Sequence, residues 1–245
     1  MSSGPSLPRT AVAWTVSSLA TVGLTLPGMA IATIPALNIV TFRMARLWGR
    51  ICIASTGCPV ATHGLTNVDV NGRYVVMANH QSALDIPLLM SVLPAEWKTV
   101  VWAKKSLFRI PVLGWAMRTL GHMPIDRVDR STAGETLFRS RRKISNSRSV
   151  LVFPEATYAP EGKPLPYKRG GFVLAIKTGL PILPVGVWGT RIALPPNGRL
   201  ISPTAITVRF GAPIPTADVS VSDRAELTER ARTVIDDLAR PPRDG

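Results

Sequence analysis

His80 and Asp85, in the run Asn79-His80-Gln81-Ser82-Ala83-Leu84-Asp85, are the side chains whose types and spacing best suit chemistry. An imidazole is a general base near neutral pH. A carboxylate beside it can hold one tautomer and stabilise the imidazolium formed when it takes a proton. The same pair also occurs as an ordinary hydrogen-bonded couple, so the rest of the chain has to decide. On a continuous helix, residues five apart diverge by roughly 140°, so the pairing works best if the chain turns between them. Ser82 is read as capping the helix that follows rather than as a nucleophile. No serine or cysteine sits in a recognisable nucleophile elbow.

The flanking residues supply the required layout. Tyr74-Val75-Val76-Met77-Ala78 reads as a buried strand that leads into His80. Asp85-Ile86-Pro87-Leu88-Leu89-Met90 restarts as a helix with Asp85 in its opening turn. Asn71-Gly72 is a tight-turn dipeptide expected to close a hairpin into that first strand. Further strands are expected at Val100–Ala103, Val150–Phe153, Ile182–Trp188 and Ala205–Phe210. Helices are expected within Leu107–Leu120, after a break at Ile110-Pro111, and from Ser131 or Thr132 through Arg148. Two more should run over Phe172–Thr178, stopped by Gly179, and from Asp223, with Glu226 reaching back to the cap, to about Leu238. Strands alternating with helices indicate an α/β fold: one layered domain, a mixed sheet flanked by helices.

The 245 residues carry a formal charge of +14, from 29 Lys and Arg against 15 Asp and Glu. From Lys98 to Arg148 there are twelve basic and three acidic residues. Such a patch attracts anionic lipid headgroups, phosphorylated substrates or nucleic acid. The basic residues do not alternate with an aromatic platform, and no nucleic-acid-binding motif is present, which disfavours nucleic acid. Cys52 and Cys58 form neither a zinc pattern nor a disulfide framework. His80 and Asp85 are not joined by further ligand-like residues, so no metal is implied.

Thr10 to Phe42 is a 33-residue stretch without charge. As one helix it would be about 50 Å long, more than the roughly 30 Å hydrocarbon core of a bilayer requires. Pro27-Gly28 and Pro35 are expected to interrupt it. It is therefore either one tilted spanning helix or a hairpin of two shorter helices dipping into one leaflet. A cleaved signal peptide and a buried soluble helix pair are the rival readings; membrane attachment is preferred. Arg43, Arg46 and Arg50 follow at once, which would place the downstream domain on the cytoplasmic face of the inner (plasma) membrane. The organisation expected is an anchor with its basic juncture over 1–50, a catalytic domain over 51–240 and a frayed tail over 241–245.

Four blocks in order resemble the glycerolipid acyltransferase superfamily, specifically bacterial 1-acyl-glycerol-3-phosphate acyltransferases. They are Asn79-His80 through Asp85; Ala103-Lys104-Lys105-Ser106-Leu107 through Gly114-Trp115 to Pro124-Ile125-Asp126-Arg127; Phe153-Pro154-Glu155-Ala156-Thr157; and Leu180-Pro181-Ile182-Leu183-Pro184-Val185. The resemblance covers about residues 40 to 215. It implies acyl transfer from acyl-CoA or acyl-carrier protein to the sn-2 hydroxyl of 1-acyl-glycerol-3-phosphate, giving phosphatidic acid without an acyl-enzyme. His80 would be the general base and Asp85 its orienting carboxylate. No cofactor is implied beyond the acyl donor.

The resemblance further assigns Lys105 and Arg127 to phosphate or headgroup contact, and Glu155 and Thr157 to the acceptor site. Lys168 and Gly170 resemble its basic-glycine step. Two positions depart from the pattern. Ala156 stands where the third block usually has glycine, and Tyr158 where it has an arginine that faces the acceptor phosphate. Lys168, Arg169 or Arg127 would then have to compensate, or the acceptor headgroup differs; a lyso-ornithine lipid, another lysophospholipid and glycerol-3-phosphate are the alternatives. A basic membrane-surface module without catalysis is the rival from another class. His63 and His122 are read as structural.

Overall fold

The computed structural model describes residues 4–125, 148–158 and 165–242. The helix expected over 131–148 therefore falls almost wholly outside the described residues, as does Arg127.

Two helices open the chain. α1 (Leu7–Ala32) runs straight through Pro27, and the break expected there comes instead at Thr33–Leu37, around Pro35. α2 (Asn38–Thr56) then returns alongside it. Met44 lies against Gly28, the Trp48 indole donates to Thr21 Oγ1 at 2.9 Å, and Arg9 packs at Gly57. These pairings make the two helices an antiparallel hairpin. α1 is the one described helix long and apolar enough to cross a membrane.

α2 is also bound to the body of the protein. At Gly49 a Cβ would collide with the Pro87 carbonyl and the Ser91 amide, so glycine is what lets α2 approach α3 (Asp85–Val92) closely. Arg46 Nε donates to Ser91 O at 3.2 Å, and Arg43 pairs with Glu96 at 3.6 Å.

The body is a seven-stranded sheet in the order β1-β7-β6-β2-β5-β3-β4. The strands are β1 (Val60–His63), β2 (Val75–Ala78), β3 (Val100–Lys104), β4 (Met123–Ile125), β5 (Val150–Val152), β6 (Ile182–Trp188) and β7 (Ile206–Phe210). Every pairing is parallel except β6 with β7. The hairpin expected at Asn71-Gly72 does not form. Gly72 N–H closes a turn onto Asp69 O, and β2 enters the sheet between two parallel neighbours, β6 and β5.

Burial on both faces explains why these strands read as unbroken apolar runs. Val76, Ala78, Val101, Ala103, Leu151, Leu183 and Val185 face one core, with residues of α2 and α3. Val75, Met77, Val100, Trp102, Val150, Val152 and Ile182 face the other. That second core is closed by the remaining long helices, which follow α4 (Leu113–Thr119): α5 (Gly170–Thr178) and, after the short α6 (Thr190–Ala193), α7 (Arg224–Leu238). The cap expected at the start of α7 is not made. Asp223 instead accepts hydrogen bonds from Ser220 and Ser222.

Candidate active site

β2 and β5 are adjacent and parallel, so their carboxyl ends deliver two loops to one place, as the crevice of an open α/β sheet requires. Asn79 leaves β2 first. Its side-chain amide donates to Val187 O at 2.9 Å and accepts from Val187 N–H at 2.7 Å, both groups buried. Beyond Ala78 the backbone no longer pairs with β6, so the Asn79 amide continues the ladder in its place. This fixes the chain one residue before His80.

His80 and Asp85 meet as expected, because the loop turns between strand and helix. His80 Nδ1 lies 2.8 Å from Asp85 Oδ2, and both residues are buried. The same oxygen accepts Gln81 N–H at 2.6 Å and Ser82 N–H at 2.8 Å. Three donors converge on that one carboxylate oxygen, and the hydrogen bond leaves Nδ1 as the protonated ring nitrogen. Nε2 is then free to act as base. Asp85 thus gathers the turn before its own helix around the imidazole, with no side-chain cap on the helix itself, and Ser82 has a different task from the capping expected of it. Its hydroxyl accepts Leu84 N–H at 3.2 Å and donates to Leu194 O at 2.7 Å, tying the His80–Asp85 loop to the segment after α6.

β5 contributes the opposite side. Phe153 stacks on the imidazole with centroids 4.0 Å apart, and Tyr158 meets it at a tilt, 4.4 Å away. Glu155 is buried and accepts the His80 backbone N–H on Oε1 at 3.1 Å. Burial pushes its carboxyl up to about 7. Ala156 sits at φ +62°, the left-handed region that favours glycine. The Ala-for-Gly departure therefore falls where the backbone does have positive φ.

The other residues singled out by sequence are more dispersed. Thr157 and Lys168 are exposed, and the Lys168 backbone N–H donates to Pro154 O at 2.7 Å. Lys105 lines a cleft of about 410 Å³ with Phe108, Arg109, Arg118, His122 and Pro124. His122 is buried and takes Val101 N–H on Nδ1 at 3.1 Å, in keeping with a structural role.

Sequence reasoning did not locate a large apolar cavity. An apolar cavity of about 640 Å³ lies between α1, α2, α3 and α4 and reaches Tyr158. Its walls include Ala13, Met44, Cys52, Met90, Val101 and Leu113. Residues from four helices and a strand assemble it, so no local spacing signals it. The Asn79 clamp was missed too, its partner being 108 residues away.

The family model described as Acyltransferase matches residues 59–188, a span that contains the His80–Asp85 loop, Glu155 and β6. A 1-acyl-sn-glycerol-3-phosphate acyltransferase of Cocos nucifera is 34% identical over 69% of this chain and 54% of its own length. One from Saccharomyces cerevisiae is 37% identical over 65% of this chain and 53% of its own. The chain spans about half the length of these curated relatives. In fold it is similar to the crystal structure of the 1-acyl-sn-glycerophosphate (LPA) acyltransferase PlsC from Thermotoga maritima. That similarity has a TM-score of 0.81 at 24% identity, covering 97% of this chain and 98% of the other. A matched family span that holds the histidine, its carboxylate and the strands that position them places the chain in a family: this protein belongs to the acyltransferases.

Proposed function

We propose that the protein transfers a fatty acyl group from a thioester, acyl-CoA or acyl-carrier protein, to the sn-2 hydroxyl of 1-acyl-glycerol-3-phosphate, forming phosphatidic acid. One observation carries this reading. The buried His80–Asp85 pair lies against Tyr158, which also lines the apolar cavity, so an alkyl chain and a general base share one site.

The geometry supports the following chemistry. His80 Nε2 takes the acceptor's hydroxyl proton as the oxygen attacks the thioester carbonyl. Asp85 stabilises the imidazolium formed. Collapse of the tetrahedral intermediate breaks the C–S bond, and the imidazolium returns its proton to the departing thiolate. The new ester and a free thiol are the products. Lys105 is assigned to the acceptor phosphate together with Arg127, with Lys168 as a further cation and Thr157 beside Glu155.

The membrane reading rests on α1, whose outward face exposes Leu7, Leu19, Leu26 and Met29. Because α2 returns antiparallel and is bound to α3, the hairpin form of the anchor is preferred over a single spanning helix. The domain would then lie on the cytoplasmic face of the membrane, the side to which Arg43, Arg46 and Arg50 assign it.

Tyr158 and Ala156 favour a second reading, an acceptor with a different headgroup. Transfer from labelled acyl-CoA and acyl-carrier protein to a panel of lysolipids, with His80→Ala alongside, tests both. Product from 1-acyl-glycerol-3-phosphate that disappears in the variant is expected. Activity on another lysolipid alone would transfer the assignment to that acceptor, and no transfer from either donor would end the enzymatic reading.

A further inference from the structure

Two aromatic rings pack on the base. Phe153 lies nearly parallel to the His80 imidazole, with centroids 4.0 Å apart and planes 17° from one another. Tyr158 meets the same ring at 4.4 Å and 58°. Both distances fall below the roughly 4.5–7 Å at which neutral aromatic pairs settle. They lie well inside the roughly 6 Å over which an aromatic ring attracts a cation. Such close approach does little for a neutral imidazole, whose own electron-rich face meets that of Phe153. It favours the imidazolium, whose positive charge the ring quadrupoles attract.

A local turn brings the two rings to one place. Ala156 N–H donates to Phe153 O at 3.0 Å, and Ala156 takes φ +62°. The chain therefore reverses after Glu155 and returns Tyr158 to the imidazole that Phe153 already covers. Position 158 is where the family pattern carries an arginine and this chain a tyrosine. A guanidinium in the place of this ring would repel an imidazolium, whereas the phenol ring attracts it.

The surroundings strengthen the attraction. His80, Phe153 and Glu155 are buried, where water screens charge less. The titratable groups set against His80 are Asp85 at Nδ1 and Glu155 at the backbone N–H. Asp85 meets the imidazole through an Nδ1 hydrogen bond in the ring plane, while Phe153 meets its face. Removing ring electrons from the aromatic partners therefore leaves the carboxylate contact intact.

We propose that Tyr158, with Phe153, stabilises the His80 imidazolium as it forms and so speeds the chemical step of transfer. Tyr158 acts through His80, and the inference rests on His80 being the base of the proposed reaction.

Fluorine withdraws ring electrons at nearly constant shape, which separates this role from packing. Phenylalanine and its mono-, di- and trifluoro forms are placed at position 158 of the full-length protein. Transfer from labelled acyl-CoA to lysophosphatidate by Tyr158→Phe should stay within about twofold of wild type, because the ring remains. From there kcat should fall with each added fluorine, by about 5- to 30-fold in all, with KM and Tm unchanged. Tyr158 also lines the apolar cavity, and a lining role alone would move KM instead. A kcat indifferent to fluorine overturns the proposal. Nitrogen NMR of the imidazole in detergent reads the same effect without turnover. The pH midpoint of His80 ring protonation should fall with each fluorine, and a midpoint common to the whole series overturns the proposal. This arm decides it even if the wild type acylates no lysolipid. The same fluorinated forms at Phe153, where the ring is already phenylalanine, give a second series with the same expected trend if the position 158 variants do not fold.

Discussion

Asp85→Asn separates what the carboxylate does by charge from what it does by geometry. His80 Nδ1–H, Gln81 N–H and Ser82 N–H all converge on Oδ2, at 2.8, 2.6 and 2.8 Å. Oδ1 is buried and has no hydrogen-bond partner among the described residues. An asparagine amide placed here can satisfy the three donors only with its oxygen at the Oδ2 position. Its NH2 group then falls where Oδ1 was. Nδ1–H keeps its acceptor, the tautomer is retained, and Nε2 remains the base. What disappears is the negative charge beside the imidazolium. A hydrogen bond to a charged group contributes about 1.5–3 kcal/mol, and each 1.36 kcal/mol is tenfold in rate. The transfer rate should therefore fall about 10- to 150-fold with KM unchanged. Where the corresponding change flips the tautomer, as in a Ser-His-Asp triad, the loss is about 10⁴. The buried NH2 costs about 1–3 kcal/mol of stability, or roughly 2–4 °C in Tm per kcal/mol. Steady-state kinetics with labelled acyl-CoA, nitrogen NMR of the imidazole and thermal melts measure all three. A 10⁴-fold loss with the proton moved to Nε2 would refute the claim that Gln81 and Ser82 dictate which amide atom faces the ring.

Three other substitutions probe the neighbouring contacts. Asn79→Ala leaves the Val187 N–H and C=O unpaired; it should cost about 2–4 kcal/mol and lower kcat more than it raises KM, whereas an unchanged kcat would show that the clamp does not position His80. Ala156→Gly relieves a left-handed strain of about 1–2 kcal/mol and adds unfolded-state entropy of about 0.4–1 kcal/mol. Tm should rise by about 1–4 °C, and a fall would mean the alanine methyl packs usefully. Glu155 has a folded-state value of about 7, above its ordinary 4.5. The folded protein therefore holds the proton more tightly, so stability declines as pH rises from about 4.5 to 7 and levels off above. In Glu155→Gln that decline should vanish from a Tm–pH series, and an identical slope in both proteins would assign it to other groups.

Much of the active loop was legible in sequence because its determinants are local. A buried strand, a turn and a helix start put His80 and Asp85 within reach of each other, and the six residues His80 to Asp85 with the strand before them suffice to encode that. The apolar runs of β2, β3, β5 and β6 announced strands buried on two faces, and Gly179 stopped α5 as expected. Turn chemistry at Asn71-Gly72 pointed to a hairpin, but the strand it leads into has more apolar surface to bury between β5 and β6 than beside its own predecessor. Pro27 failed to break α1: proline removes only one N–H donor, and the chain turns at the Pro35 segment instead. The Asn79–Val187 clamp, the Glu155 contact to His80 N–H and the apolar cavity were decided by tertiary structure alone. Each joins residues from separate elements, and the side chains that meet there carry no mark of their partners. The sequence by itself determined which groups could do acyl-transfer chemistry; only the packing of α1, α2 and α4 decided that an alkyl-sized cavity would open and reach Tyr158 beside His80.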